Sequence, residues 1–317
     1  PAGGTWASSG AGAGVAWPII DAFTTPQVYD PPPMPDNPQP APGHEFALPG
    51  HAVLAIAGRD AVAFAQAQCM NDVAALGDGQ WQWNGWLTPK GRVVALFALL
   101  RHDADTLWML LPDASAATLA ADLQRFVFRS KVTLTPLDMP VAGRFGAPRQ
   151  AQRSTFAKAG DGGVELDMGG DGGPRTLRIG PMPASIDADA LACWNAADLA
   201  HGLPRLDAEQ SSQWTPQQLS LERLRAFSVK KGCYPGQEIV ARTHFLGQAK
   251  RGLALFDATP APASGSDVVA GGRGIGTVVS AAAGACLAVL PLEREPGPLQ
   301  ADGIALHHRP LLGGLAR

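Results

Sequence analysis

The chain has 317 residues, of which 46% are hydrophobic and 17% are charged, and its formal net charge at pH 7 is −3. This length and composition predict a globular protein with one large or two to three ordinary domains. The slight acidic excess argues against a surface built mainly to neutralise a nucleic-acid backbone, although it leaves room for a local basic patch.

The four cysteines, at positions 69, 193, 233 and 286, form neither a CxxC pair nor a Cys/His cluster with zinc-site spacing. That pattern is typical of separate thiols in a reducing compartment and not of a disulfide framework. The longest uninterrupted apolar run, Val93 to Leu100, is far too short to cross a bilayer. Since the first residues also lack the basic segment of a secretory signal, we expect a soluble, cytoplasmic protein with no membrane partner.

The first 45 residues are dominated by glycine, alanine and proline and show no sustained helical or strand period. Such a stretch buries too little side chain to offset its ordering entropy, so it predicts a mostly disordered extension. The pattern changes at His51, where HAVLAIAG is typical of a strand. Asp60 then has the position of a helix cap, and the predicted helix runs to about Cys69.

The following segments predict a sheet with one further helix. QWQWNGWL alternates as a strand does, Thr88-Pro89-Lys90-Gly91 has good turn chemistry, and RVVALFALL and TLWMLL continue as strands. Asp113 is expected to start a helix that buries Leu119 and Leu123, after which KVTLTP returns as a strand. This mixture of strands and helices indicates an α+β layer.

Three tryptophans occupy the strand QWQWNGWL. Trp81 and Trp83 share one face of the alternating strand and Trp86 lies on the other, so at least one of them is expected in the core. The alternative is that one of them stacks on a flat heterocycle such as a pterin.

The second half of the chain predicts a helix over residues 187 to 201, ended by Gly202. From about Lys250 there are only short β-like runs separated by glycine and proline, at intervals that fit a small barrel. GGRGIGTVV, residues 271 to 279, does not match GxGxxG and is followed by a strand pattern, so we interpret it as a barrel turn and not as a phosphate loop.

The stretch KKGCYPGQE places Cys233 after two lysines and before a Pro-Gly turn. A thiol acts as a nucleophile or soft ligand only as the thiolate. Lys230 and Lys231 are expected to bring positive charge close to this thiol, and a helix beginning at Gln237 would add the positive potential of its free amides.

The glycines of this stretch are also informative. Gly232 and Gly236 are expected to let the backbone approach a ligand closely or to adopt positive φ, and Pro235 stiffens the loop between them. On these residues alone two interpretations stay open: an exposed, activated sulfur, or an incidental loop cysteine beside solvated lysines.

A longer segment, KKGCYPGQEIVARTHFLGQAKR, resembles the signature of the YgfZ-type folate-binding proteins, which are iron–sulfur cluster assembly and repair factors related to the aminomethyltransferase of the glycine cleavage system. GRDAVAFAQAQCMNDVAALGDGQW, TPKGRV and HGLPRLDAEQSSQWTPQQLSL resemble other segments of that family. The resemblance covers roughly residues 45 to 317, which leaves only the Pro-rich start outside it.

The resemblance implies an α+β, three-domain ring of the aminomethyltransferase type. It would consist of two mixed α/β, ferredoxin-like units over residues 46–248 and a small C-terminal β-barrel over residues 249–317, preceded by the extension of residues 1–45. A pocket for tetrahydrofolate or a derivative would lie at its centre, flanked by the cysteine loop. By position in the motif, the resemblance implies catalytic roles for Cys233 and Lys231 and folate contacts for Tyr234, Gly236, Gln237, Glu238 and Arg242.

The function implied is that of an accessory protein. It would bind folate and use Cys233, as a transient cluster ligand or as a reactive thiol, to support iron–sulfur cluster assembly or repair on client proteins, some of which modify tRNA. No permanent metal site is expected.

One departure from the transferases bears on activity. True aminomethyltransferases carry an acidic pair directly after the hairpin turn, where this chain has Val94 and Ala95. Because an alkyl group cannot replace a general acid or base, a conventional aminomethyltransferase is not expected. Two alternatives remain: a tetrahydrofolate-dependent one-carbon transferase with other acid/base residues, and direct tRNA binding, which ranks last given the net charge.

Two further clusters have competing interpretations. His307 and His308 are either half of a metal site or a surface pair. Arg125, Arg129 and Lys131 follow a predicted helix, where they either meet the polyglutamate tail of a folate or a tRNA phosphate, or simply complement the helix dipole in solvent.

Overall fold

The computed structural model describes residues 43–182, 184–247 and 249–317, so the predicted N-terminal extension lies almost entirely outside the described residues. The helices are α1 (Ala61–Gln68), α2 (Ala116–Gln124), α3 (Ala188–Ala200) and α4 (Gln237–Phe245), and Leu221–Leu224 form a 3-10 turn. In chain order the strands are β1 (Glu45–Ala47), β2 (Ala52–Ala57), β3 (Trp81–Leu87), β4 (Val93–Asp103), β5 (Thr106–Leu111), β6 (Thr133–Leu137), β7 (Val141–Phe145), β8 (Ala157–Lys158), β9 (Val164–Asp167), β10 (Arg175–Ile179), β11 (Arg251–Asp257), β12 (Asp267–Ala270), β13 (Arg273–Ala282), β14 (Ala285–Pro291), β15 (Leu299–Ala301) and β16 (Ile304–Arg309).

The strands form two five-stranded sheets and a closed barrel. The first sheet has the order β3-β4-β5-β2-β6, the second has the order β1-β7-β10-β9-β8, and the barrel runs β11-β14-β13-β12-β15-β16. The predicted α+β architecture with a C-terminal barrel is confirmed. At the turn between β12 and β13, Gly271 and Gly272 have φ of 54° and 80°, the left-handed pair that a two-residue hairpin turn favours.

The first sheet buries both of its faces. Trp81 and Trp83 belong to the apolar cluster shared with the second sheet, whereas Trp86 belongs to the cluster under α1 and α2. All three side chains are buried. The prediction that at least one of them lies in the core is therefore confirmed.

The capping interactions of two helices differ from the sequence-based prediction. Asp60 stands at the N-cap position of α1, yet its carboxylate accepts no cap hydrogen bond and instead accepts the backbone N–H of Lys131 at 2.7 Å. The cap of α2 is Ser115, not Asp113. Asp113 forms an ion pair with Arg205 at 2.7 Å, so a long-range charge partner takes the carboxylate that local pattern assigned to a cap.

The helix predicted over residues 187 to 201 is confirmed as α3. The Asp187 carboxylate caps it by accepting the N–H of Ala190 at 2.9 Å, which satisfies one of the free amides of its first turn. Gly202 follows the helix with φ of 70°, the left-handed residue that commonly ends a helix. No helix among the described residues combines the length and apolar character needed to cross a membrane.

A buried ion pair joins α3 to the second sheet. Arg175 Nη1 of β10 donates to Asp198 Oδ1 of α3 at 2.8 Å, with both side chains almost fully buried. The Arg175 guanidinium lies over the Trp194 ring, 4.7 Å from its centroid, and Arg205 Nη1 lies 3.6 Å from the second Asp198 oxygen. Since a buried charge is tolerated only when paired, these contacts fix α3 against the sheet.

We predict that Asp198→Ala lowers the free energy of unfolding by about 3–5 kcal/mol, because it leaves the Arg175 charge buried without its carboxylate. Urea denaturation followed by circular dichroism measures the change. The control is Asp78→Ala, which breaks an ion pair with Arg101 in which the Asp78 side chain is 58% exposed and should cost less than about 1 kcal/mol. Equal losses in the two variants would contradict the assignment.

Candidate functional site

Cys233 lies in a loop between the 3-10 turn Leu221–Leu224 and helix α4. We call residues 228–236 the cysteine loop. Of the four cysteines, all within the described residues, Cys233 alone is exposed. Helix α4 begins at Gln237 directly after the loop, as predicted, so the thiol lies four residues before the amino-terminal turn of a helix.

Lys231 anchors the cysteine loop to the carboxyl end of α1. Its side chain is buried, and its Nζ donates to the backbone carbonyls of Gln66, Cys69 and Asn71 at 2.5, 2.6 and 2.9 Å. A helix end leaves several carbonyls without partners inside the helix, and an ammonium group satisfies them with charge-assisted bonds. These three bonds join segments about 160 residues apart in sequence.

The environment of Lys231 differs from the sequence-based expectation. Burial lowers the pKa of Lys231 to about 8, against a smaller opposing effect of Cys69 and Asp72. The acceptors around the ammonium group are the backbone carbonyls of Gln66, Cys69 and Asn71, and none of them belongs to Cys233. Within the described residues Lys231 therefore holds the loop in place instead of pointing its charge at Cys233.

Tyr234 and Gln237 also serve the shape of the loop. The Tyr234 hydroxyl donates to Ser228 O at 3.1 Å, and its ring lies 5.0 Å from Lys231 Nζ. Burial raises the pKa of Tyr234 to about 12, so the phenol keeps its proton and remains a donor. Gln237 Nε2 donates to Lys231 O at 3.1 Å. Two of the polar groups that the family resemblance assigned to folate are therefore used by the loop itself.

A pair of glycines brings the β3–β4 turn against the cysteine loop. Gly236 has φ of 78°, and a Cβ there would lie 2.6 Å from Thr88 O and 2.7 Å from Gly91 Cα. Gly91 is equally restricted, with φ of 69° and a Cβ position 2.9 Å from Ile239 Cβ. Two backbones can approach this closely only without side chains. The segments TPKG (residues 88–91) and PGQE (residues 235–238) therefore pack against each other although they are far apart in sequence.

Asn71 is a positioning residue that sequence reasoning gave no role. Its side-chain Nδ2 donates to Trp83 O at 2.9 Å and Arg225 O at 2.7 Å, and its backbone N–H donates to Asn84 Oδ1 at 2.9 Å. It thereby joins the end of α1, strand β3 and the chain entering the cysteine loop. The available signal was an Asn-Asp pair directly after a predicted helix, since such residues are frequent where chains turn.

The outer face of α4 carries the polar groups that remain available beside the thiol. Glu238 and Arg242 are exposed, and neither makes an ion pair among the described residues. Phe245 and Leu246 are also largely exposed at the end of the helix. Gln217 Nε2 holds the inner face by donating to Val240 O at 2.9 Å.

Two cavities are found elsewhere in the described residues. One, between the two sheets, has a volume of about 10 Å³ and is lined by residues that include His51, Trp83 and Asp198, which leaves room for roughly one water. The other is an open cleft of about 220 Å³ lined by the charged residues Glu45, Arg149, Lys158, Glu165 and Arg178 among others. Neither lining includes a residue of the cysteine loop.

The remaining candidate residues lie apart from this loop. His307 and His308 are exposed on β16, and the described part of the chain holds no group of three His, Cys, Asp or Glu side chains suited to a metal ion. Burial raises the pKa of both Cys69 and Cys286 to about 12, so neither is a thiolate at neutral pH. Cys193 also has a raised pKa, caused by burial and by Asp189 and Asp187.

Comparisons with known proteins find a matching family model and proteins of similar sequence. A family model described as the CAF17 C-terminal beta-barrel domain matches residues 244–311. A protein of Cronobacter sakazakii named tRNA-modifying protein YgfZ is 31% identical over 229 residues, which is 65% of this chain and 69% of that protein. A protein of the same name from Vibrio vulnificus is 26% identical over 241 residues, covering 71% and 73%.

A solved structure extends the comparison to the fold. The glycine cleavage system aminomethyltransferase T from Bartonella henselae aligns with a TM-score of 0.60 at 15% identity, covering 83% of this chain and 84% of that one. At this identity the likeness establishes the fold alone.

We predict that Lys231→Met loosens the cysteine loop while Lys230→Met does not. Lys231→Met removes three charge-assisted hydrogen bonds, each worth about 1.5–3 kcal/mol, whereas Lys230 is exposed one residue away. Hydrogen exchange with mass spectrometry should show amides of residues 228–237 exchanging about tenfold faster or more in Lys231→Met alone. Unchanged protection in both variants would show that the anchor does not order the loop.

We also predict that Gly236→Ala destabilises the protein and that Gly232→Ala is tolerated. The first adds a Cβ in a left-handed conformation and against Thr88 O, whereas a Cβ at Gly232 would have no atom within 4 Å. The expected loss of unfolding free energy is about 2 kcal/mol or more for Gly236→Ala and below about 1 kcal/mol for Gly232→Ala, measured by chemical denaturation. Similar losses of unfolding free energy in the two variants would contradict the close packing assigned to Gly236.

Proposed function

This chain belongs to the YgfZ family, and from that membership we propose that it is a folate-binding accessory protein that supports iron–sulfur cluster assembly or repair through Cys233. One observation carries the proposal. Cys233 is exposed on a loop whose position is fixed by Lys231, Gly236 and Gln237, so a reactive sulfur is offered to a partner at a defined place.

The choice of Cys233 over the other cysteines follows from access. Cluster ligation and thiol exchange both require a sulfur that a second molecule can reach and a thiolate that can form. Cys69 and Cys286 are buried, with pKa values of about 12. Cys233 meets the requirement of access, and the loop holds its backbone while its side chain faces solvent.

The chemistry of the proposed step is that of a thiol toward a client protein. The thiolate of Cys233 ligates an iron of a cluster that is being built or repaired, or exchanges with a client disulfide. Alternatively, the thiol condenses with a client sulfenic acid to form a mixed disulfide and water, and a second thiol then releases the client thiol by forming a disulfide with Cys233. The cluster is cargo here and not a resident group.

The proposed folate lies beside the outer face of α4. Of the five residues implied by the family resemblance, Tyr234, Gly236 and Gln237 shape the cysteine loop, whereas Glu238 and Arg242 are exposed. Their chemistry fits a folate, because a carboxylate accepts hydrogen bonds from the N–H edge of a pterin and a guanidinium binds a glutamate carboxylate. When bound, a reduced folate supplies a one-carbon carrier; the protein residues supply its orientation.

The proposed function includes an indirect link to tRNA modification, which is suggested by the name of the relatives and would act through client enzymes. The relatives from two species carry the name tRNA-modifying protein, and an accessory role toward cluster-dependent tRNA-modifying enzymes would account for that name without chemistry on RNA by this chain. Aminomethyl transfer is not favoured, because Val94 and Ala95 stand where transferases carry acidic residues, and Ala95 is buried.

We predict that Cys233→Ser fails to restore cluster-dependent enzymes in cells lacking the protein, giving the same activity as the empty vector. Cys193→Ser, which changes a half-buried thiol on α3, should restore them. Both variants should bind tetrahydrofolate as the natural chain does in calorimetric titration, whereas Glu238→Gln combined with Arg242→Gln should weaken that binding about tenfold or more.

Three results would contradict the proposal in different ways. Full restoration by Cys233→Ser would remove the thiol assignment, and unchanged folate affinity in the Glu238/Arg242 variant would remove the binding site. Turnover of methylene-tetrahydrofolate by the purified protein would replace the accessory role with a transferase.

A further inference from the structure

The segment after helix α2 carries an exposed surface of cations and phenyl rings that the proposed function does not use. We call it the α2 patch; it consists of Arg59, Arg125, Phe126, Phe128, Arg129 and Lys131. Phe128 is 86% exposed and Phe126 is 37% exposed. The remaining four members are exposed cations.

The backbone after α2 leaves the Phe128 ring exposed and the Phe126 ring partly exposed. After α2 ends, Phe126 N–H donates to Leu123 O at 2.9 Å and Val127 N–H donates to Gln124 O at 3.1 Å. Val127 packs against the core cluster under the first sheet, whereas Phe128 faces solvent and the Phe126 ring is only partly exposed. The Lys131 N–H bond to the Asp60 carboxylate closes the segment beside Arg59.

The cations of the α2 patch are free for a ligand. Arg125, Arg129 and Lys131 make no ion pair with any described residue, and Arg59 has only a distant contact to Asp60 at 3.9 Å. Complementing the dipole of α2 needs cations near its last turn, but it gives no reason for a phenyl ring exposed beside them. The dipole interpretation therefore accounts for Arg125 and leaves Phe128 unexplained.

Cations interleaved with exposed rings suit one class of partner. Single-stranded nucleic acid presents phosphates to Arg and Lys and flat bases to aromatic rings, and each base stacked on a ring contributes binding energy. A duplex keeps its bases inside, out of reach of Phe128, and a polyglutamate chain has no flat groups to stack. Because relatives are named tRNA-modifying proteins, RNA is the relevant source.

We propose that the α2 patch binds a single-stranded segment of RNA, with a base stacked on Phe128 and phosphates paired with Arg125, Arg129 and Lys131. This goes beyond the proposed function, since it requires neither Cys233 nor folate. It also qualifies the expectation from net charge, because four cations gathered on one surface create a local field that the total of −3 conceals.

The α2 patch adjoins the site already described. The Phe126 ring meets the Trp86 ring edge to face at 6.0 Å between centroids. Trp86 forms a backbone bridge with Cys69, and Cys69 O accepts a hydrogen bond from Lys231 Nζ. The patch is therefore linked to the anchor of the cysteine loop through two intervening residues, Trp86 and Cys69.

Fluorescence anisotropy with a labelled uridine oligonucleotide of about 12 nucleotides tests the proposal. The natural chain should bind it at about 50 mM salt and lose affinity as salt rises, with a slope of log affinity against log salt of about −2 to −3 for three to four phosphate contacts. Phe128→Ala should weaken binding about tenfold with the slope unchanged, because it removes stacking but no charge. Arg129→Gln should reduce the slope by about 0.7.

The matched controls are Leu292→Ala, an exposed apolar residue after the barrel strand β14, and Arg273→Gln, an exposed cation of the barrel. Neither should change the affinity. Poly-L-glutamate and a duplex of the same sequence should compete at least tenfold less well than the single strand, about the difference that one stacked base makes. Absence of binding at about 50 mM salt, equal competition by poly-L-glutamate, or equal losses in the controls would each overturn the proposal.

Discussion

The hydrogen bonds from the Lys231 ammonium group to three carbonyls at the end of α1 are the contact on which the candidate site depends. They attach the cysteine loop to the first sheet, since α1 packs on that sheet through the same apolar cluster as Trp86. Burying an ammonium costs free energy, and here burial lowers the pKa of Lys231 to about 8. The group stays mainly protonated at neutral pH, and the three charge-assisted bonds offset the desolvation. Tyr234 packs over the same ammonium, so the residues on both sides of Cys233 are fixed while its side chain faces solvent.

Close backbone contact fixes the other side of the loop. Gly236 and Gly91 lie in such close backbone contact that neither position has room for a Cβ atom. This contact sets the start of α4 against the β3–β4 turn. An anchor at Lys231 and a close contact at Gly236 constrain the loop at two points only a few residues apart. A thiol held in this way keeps its place without being buried, which is what exchange with a second protein requires.

Surfaces available for partners lie around this constrained loop. The outer face of α4 offers Glu238 and Arg242, and the α2 patch reaches the loop through Phe126, Trp86 and Cys69. The cavity between the two sheets has room for roughly one water. The interior between the sheets is given to packing and to the Arg175–Asp198 ion pair.

Local patterns along the chain were sufficient for most elements: the alternation of β3, the apolar run of β2, the helix α3 and the glycine-bounded barrel strands, because strand and helix periods and turn glycines act within a few residues. They were also sufficient to place the start of α4, but on their own they left the role of Cys233 open. They placed Asp60 correctly at the N-cap position of α1 but not its hydrogen bond, and they assigned Asp113 to the start of α2. Both carboxylates are engaged by residues far along the chain, Lys131 and Arg205. The local patterns also predicted that the Lys231 charge lies close to Cys233, whereas its ammonium group is bound to three backbone carbonyls. Which carbonyls surround an ammonium, and which glycines touch, depends on how sheets and loops distant in sequence are packed, and no short-range period carries that information.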